Sequence, residues 1–271
     1  MLKGIFHDGK ALRRVIVSPP EKEYFKVENL EEHNIMERAN VNEAREQHKK
    51  LREIMRIAGA EVIEVKELEG HPNSVFTMDT ALSLGDSYIK LRMGLPARRG
   101  EEEWMGKILE NFGLEREGEV KAPGTAEGGD LIPAYPIFFI GRSTRTNKEG
   151  AAQIAKIVEE LGYEARIIKV PDLHLHLGGA MTLIGEDKIL ACNYIPRNLL
   201  KGFDVIWLNC SSFISGNVIY LGNEKVIVER RNEEARKKLE KEGYEIFTLD
   251  LSEFVKGSGG PSCLILSLER G

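Results

Sequence analysis

Cys263 stands at the end of a glycine-rich run and opens an apolar stretch, G-S-G-G-P-S-C-L-I-L-S-L over residues 257–268. A thiol at such a boundary can meet a substrate, and as a thiolate it is a nucleophile. The glycines leave room for a substrate and for backbone amides near the sulfur. Cys192 and Cys210 lie in or beside apolar strands, where a free cysteine usually behaves as a small hydrophobe. D-L-H-L-H-L-G-G at 172–179 supplies a proton carrier. Strand alternation would set Asp172, His174 and His176 on one face, and one histidine suits general acid–base work near neutral pH. A histidine pair two apart also fits a metal, but zinc takes three or four ligands and no cysteine pair has metal-knuckle spacing. No metal and no organic cofactor is therefore expected.

The charged candidates lie in three further segments. A-P-G-T-A-E-G-G-D at 122–130 sets Glu127 and Asp130 around two glycines, and it is not a dinucleotide fingerprint. In H-P-N-S-V-F-T-M-D-T-A-L, Asp79 interrupts an apolar strand, where an acid wants a cationic partner. Phe76 in the same segment can lie flat on a planar cation. Arg98 in A-R-R-G-E and Arg145 in S-T-R-T-N are planar forks suited to a carboxylate. Taken singly, each has a plainer explanation: a polar turn, a buried strand residue or a surface ion pair.

The elements that must position these residues recur. Strand-like runs rich in Val, Ile and aromatics, such as R-R-V-I-V and V-I-Y-L-G-N-E-K-V-I-V, are joined by turns near His7–Lys10, Gly85–Ser87, Pro133–Pro136, Gly185–Asp187 and Gly222–Glu224. Helical segments are expected over about 31–59, 101–112, 148–162 and 232–243, each ending near a capping glycine. The unit reads hairpin, helix, strand, and recurs about five times; the first is stretched and the fourth has only a short helical segment. Such recurrence marks a repeat or propeller-like α/β array. Asp79, Glu127, His176 and Asn217 share one phase of the repeat, which projects them toward a common axis.

Composition excludes other classes. Apolar residues make up 42% and charged residues 30% of the 271-residue chain, and the net charge is −5. Its Lys/Arg clusters are interleaved with Glu, so no nucleic-acid partner is expected. No run reaches the roughly 18–20 apolar residues of a membrane span, and M-L-K-G-I-F-H-D-G lacks the apolar run of a secretion signal. Three widely spaced cysteines argue against a disulfide framework and for a reducing, cytoplasmic setting. Gln occurs only at Gln47 and Gln153 while Glu, Lys and Arg abound, a bias of proteins from hot environments.

Taken together, P-N-S-V-F-T-M-D-T, R-R-G-E, A-P-G-T-A-E-G-G-D, S-T-R-T-N-K-E-G, L-H-L and G-G-P-S-C resemble, in order and spacing, the dimethylarginine dimethylaminohydrolases. The wider group of guanidino-modifying enzymes includes arginine deiminases, dihydrolases and amidinotransferases. The resemblance runs from Pro19–Pro20 to the last strand. It implies a five-bladed pseudo-symmetric α/β propeller of ββαβ units, one catalytic domain over residues 1–271. By the resemblance, Cys263 is the nucleophile, His176 the general acid/base and Glu127 its acidic partner. Asp79 is then the guanidinium anchor, Arg98 and Arg145 clamp a carboxylate, and Asn73 and Phe76 complete the substrate site. The family has Asp and Glu where this chain has Asn73 and Met78, so the resemblance leaves the guanidino substrate unfixed. It implies hydrolysis, with amidino transfer or deimination as alternatives and a ribosome-binding factor of the same fold as the non-enzymatic one. The partner expected is a small guanidino compound bearing a carboxylate, with homo-oligomerisation left open.

Overall fold

The protein is described here by a computed structural model covering residues 6–271. The start of the chain, read above as lacking a secretion signal, falls largely on residues 1–5, outside the described residues. The first unit contains β1 (Leu12–Val17), helix α1 (Val41–Ile57) and β2 (Glu61–Glu64). The second has β3 (Ala81–Ser83), β4 (Ser87–Lys90), α2 (Glu101–Asn111) and β5 (Glu115–Glu119). The third has β6 (Leu131–Ala134), β7 (Ile137–Arg142), α3 (Lys148–Glu160) and β8 (Glu164–Lys169). In the fourth, β9 (Met181–Leu183), β10 (Lys188–Cys192) and β11 (Asp204–Leu208) enclose only a 3-10 turn, Arg197–Leu200. The fifth has β12 (Val218–Gly222), β13 (Lys225–Glu229), α4 (Glu233–Lys241) and β14 (Glu245–Leu249). A short helix α5 (Ser252–Val255) leads to β15 (Leu266–Arg270).

Each unit is a three-stranded sheet whose middle strand pairs antiparallel to one neighbour and parallel to the other. The parallel step needs a crossover, which the helix or 3-10 turn supplies. The expected five-unit α/β propeller is thus the observed fold. The inner strands β3, β6 and β12 are buried throughout, whereas the outer strands β2 and β5 are half exposed. Helix α3 shows how the crossovers hold on: it buries Ala151, Ile154 and Val158 at helical spacing. Gly59, Gly113, Gly162 and Gly243 follow the four long helices at φ of 83–96°, the left-handed region that ends a helix.

Three expectations are corrected. The turn at His7–Lys10 forms, but opens no hairpin; β1 takes its antiparallel partner from β15 at the other end of the chain, so the first unit is closed by both termini. Helix α1 begins at Val41, not near Glu31, because the Asn40 side chain accepts from the amides of Asn42 and Glu43 and caps it there. The segment before it is irregular and folds over the site. Finally, the three cysteines are not all free. Cys192 ends β10 and Cys210 follows its parallel neighbour β11, which brings their Cα atoms within 5.5 Å in a disulfide. Among the described residues, no helix is long and apolar enough to cross a membrane.

Candidate active site

The segment entering the first strand of each unit delivers one polar residue to the axis. Asp79 lies in a 3-10 turn before β3, Glu127 and His176 precede the 3-10 turns before β6 and β9, Asn217 abuts β12, and Cys263 lies in the 3-10 turn before β15. Close backbone packing sets these turns. A Cβ on Gly129 would sit 2.8 Å from both Asp79 Oδ1 and His176 Cγ, so only glycine lets those two side chains approach. The backbone N–H of Gly129 donates to Asp79 Oδ1 at 3.2 Å.

His176 Nε2 lies 2.8 Å from Glu127 Oε2, and its Nδ1 lies 3.7 Å from Asp79 Oδ1. The amides of Gly94 and Leu95 donate to the other Glu127 oxygen, and Arg145 approaches it to 3.6 Å. Asp130 accepts from the N–H of Leu177 and from the Ser143 hydroxyl, which fixes the loop carrying His176. Burial alone would lower the His176 pKa, but Asp79, Glu127 and Asp130 together outweigh it and raise the value to about 9. Burial pushes the Glu127 carboxyl up; the bond to His176, with Arg98 and Arg145, wins and holds it well below the usual range.

At the sulfur, the N–H of Gly260 stands 3.3 Å from Cys263 Sγ and the Asn217 amide nitrogen 3.7 Å away. The orientation of Asn217 is fixed because its carbonyl oxygen accepts from the N–H of Ser262 at 2.9 Å. Burial, and then the negative charge of Asp79, push the Cys263 thiol up to about 12. The sulfur shares a cleft with Asn73, Phe76, Asp79, Arg98, Arg145 and His176. Phe76 forms one wall, its ring against Gly257 and Gly259.

Three expected placements differ. Residues 171–176 are a loop, not a strand, because the N–H of His174 turns back to Pro171 O; Asp172 is exposed and His174 points away from the axis. Arg98 lines the cavity, but its fork is occupied: Nη1 donates to Asp79 at 2.6 Å, while Nε and Nη2 donate to Glu101 at 2.9 and 2.7 Å. Asn73 likewise faces the loop before α1, with Oδ1 3.1 Å from His33 Nδ1 and its amide donating to His33 O. Glu101 and His33 carried no signal beyond their residue type. Asn217 carried the phase signal, but nothing in its spacing says that it faces a sulfur.

Known proteins resemble this chain over most of its length. A family model described as N,N dimethylarginine dimethylhydrolase, eukaryotic, matches residues 25–270. An uncharacterised protein of Aeropyrum pernix is 35% identical over 236 residues, 85% of this chain and 86% of the relative. The N(G),N(G)-dimethylarginine dimethylaminohydrolase of Pseudomonas aeruginosa is 30% identical over 224 residues, 82% of this chain and 87% of the relative. A solved structure of the Pseudomonas aeruginosa enzyme, a cysteine-to-serine variant complexed with citrulline, superposes with a TM-score of 0.82 at 26% identity, covering 95% of this chain and 99% of that one. Match over nearly the whole chain, in sequence as in fold, makes this protein a member of the dimethylarginine dimethylaminohydrolase family of hydrolases.

Proposed function

We propose that the protein hydrolyses a guanidino C–N bond of an arginine-type substrate through Cys263. The observation that carries this reading is a single cleft faced by a sulfur, a carboxylate and a carboxylate-bound imidazole. A guanidinium carbon is a poor electrophile because its charge is delocalised, so a thiolate and a protonated leaving group are both needed. Asp79 holds the cation. The cation offsets the charge of Asp79 at the sulfur and favours the thiolate, with Gly260 and Asn217 donating to it.

The thiolate adds to the guanidinium carbon, and His176, protonated at neutral pH by its raised pKa, gives its proton to the departing amine. An S-linked amidino intermediate remains. Neutral His176 then takes a proton from water, whose oxygen adds to the same carbon and expels the thiolate, leaving a ureido product. Glu127 orients the imidazole throughout. Arg145 meets the substrate carboxylate, and Arg98, whose fork is taken up by Asp79 and Glu101, keeps Asp79 in position. Because every unit contributes a residue, residues 1–271 act as one catalytic domain. Neutral Asn73 and Met78 are compatible with arginine itself as well as its methylated forms.

The test is mass spectrometry of products from arginine, methylarginines, agmatine and guanidino acids, with and without glycine as an acceptor. A ureido product plus amine or ammonia supports hydrolysis, whereas ornithine plus an amidinated glycine replaces it by amidino transfer. No product from any guanidino compound, or undiminished turnover by Cys263→Ser, overturns the reading.

A further inference from the structure

Outside the catalytic cavity, three donor atoms of the fourth unit and its flanking loops converge. His174 Nε2 and the sulfurs of Cys192 and Cys210 lie within 4.8 Å of one another, with His174 Nε2 3.8 Å from Cys192 Sγ. All three residues are buried. His174 Nδ1 lies 2.9 Å from Phe213 O, so Nδ1 carries the proton and Nε2 turns its lone pair toward the sulfurs. Metal-ligating histidines are held in this way, with the second ring nitrogen donating to a carbonyl or carboxylate. Cys210 has φ of 52°, a left-handed conformation uncommon for a residue with a side chain, and such conformations persist where the surroundings demand them. The ring of Tyr194 lies 5.7 Å from that of His174, and its buried hydroxyl has no hydrogen-bond partner among the described residues. A buried hydroxyl without a partner costs free energy unless something binds it.

We propose that His174, Cys192 and Cys210 form a site for a thiophilic divalent cation such as zinc in the dithiol state of the protein, the disulfide being its oxidised, metal-free state. Two thiolates and an imidazole suit zinc, and the fourth position is left for Tyr194 or water. A dithiol reductant supplies two electrons and two protons to the S–S bond and is itself oxidised to a disulfide. The two cysteine thiols then release two protons as two S–metal bonds and one N–metal bond form. Paired cysteines place their Cβ atoms about 3.8 Å apart, so side-chain rotation separates the sulfurs to ligand spacing without moving the strands. The site ties two loops together. His174 lies two residues from His176, and Cys210 lies on the segment whose Phe213 and Asn217 line the cavity beside Cys263.

The experiment uses Cys263→Ser protein, so that any metal–thiolate bond comes from Cys192 and Cys210. The protein is reduced with dithiothreitol, freed of reductant without oxygen, and titrated with cobalt(II). A tetrahedral cobalt spectrum with a sulfur-to-metal charge-transfer band is expected at one equivalent, displaced by zinc(II). Adding His174→Ala or Cys210→Ser should weaken binding at least tenfold, with folding checked by circular dichroism, and adding His176→Ala should leave it unchanged. Three results overturn the site: no charge-transfer band, a band that survives loss of His174 but not of His176, or a disulfide that excess dithiothreitol leaves intact in the folded protein.

Discussion

Nε2 of His176 sits 2.8 Å from Oε2 of Glu127, and both side chains are buried. The pair fixes the direction of the imidazole and, with Asp79, keeps it charged, and its effect is readable in pH profiles. With Glu127→Gln the pKa of His176 should fall from about 9, so the alkaline limb of kcat/KM moves to lower pH. Activity should drop about 100-fold, within the range that general acid–base groups contribute. An unmoved alkaline limb would separate His176 from the titration.

The same pair makes stability pH-dependent. His176 is raised above its unfolded value of 6.5, so its contribution is fully present below that pH and is lost as pH rises through about 9. Glu127 is depressed below 4.5, so its contribution is present above that pH and is lost on acidification. The Cys263→Ser protein should therefore have its highest urea midpoint between roughly pH 4.5 and 6.5 as far as this pair decides it. Urea titrations across pH check this, with Glu127→Gln flattening both sides.

The thiol of Cys263, pushed up to about 12 by burial and by Asp79, should react slowly with neutral iodoacetamide at pH 8. Chloroacetamidine carries a cation to Asp79 and should alkylate faster, and arginine should protect. Asp79→Asn should lower the thiol pKa and remove the preference for the cationic reagent. Rates of labelling followed by intact mass give both readings.

Asn217→Ala removes one of the two donors at the sulfur. A hydrogen bond to a charged group is worth about 1.5 kcal/mol at the low end, so kcat should fall about tenfold while folding persists. The thiol pKa should rise as well, which loss of packing alone would not produce.

Gly129→Ala tests the close approach of Asp79 and His176 directly. The added Cβ would lie 2.8 Å from each, so one must move. Since a displacement of about 1 Å can cost 100-fold, turnover should drop by about that factor with little change in the far-ultraviolet spectrum.

Much of this was written in the chain. Turn residues between β-branched runs gave the strands, the glycines after the helices gave their ends, and the near-constant spacing gave five units. That spacing also placed Asp79, Glu127, His176 and Asn217 at one phase, since equivalent positions of a closed repeat face its axis. Cys263 was legible from its glycine-rich approach. The Asn40 cap was legible too: an Asn just before a helical run marks a start that periodicity alone put ten residues early.

What the tertiary structure alone decided are relations between units. Closure of the first unit by β15 depends on the chain ends meeting, which no local pattern encodes. Strand alternation would set His174 and His176 on one face, yet His176 reaches the axis and His174 the Cys192–Cys210 pair, because a turn at Pro171 breaks the alternation. The direction of the Arg98 fork and the pairing of Cys192 with Cys210 likewise follow from which loops pack together. Residue type and spacing determine what chemistry a side chain can do and roughly where it lies; burial and neighbours decide its charge and its partner, and those come from the folded chain.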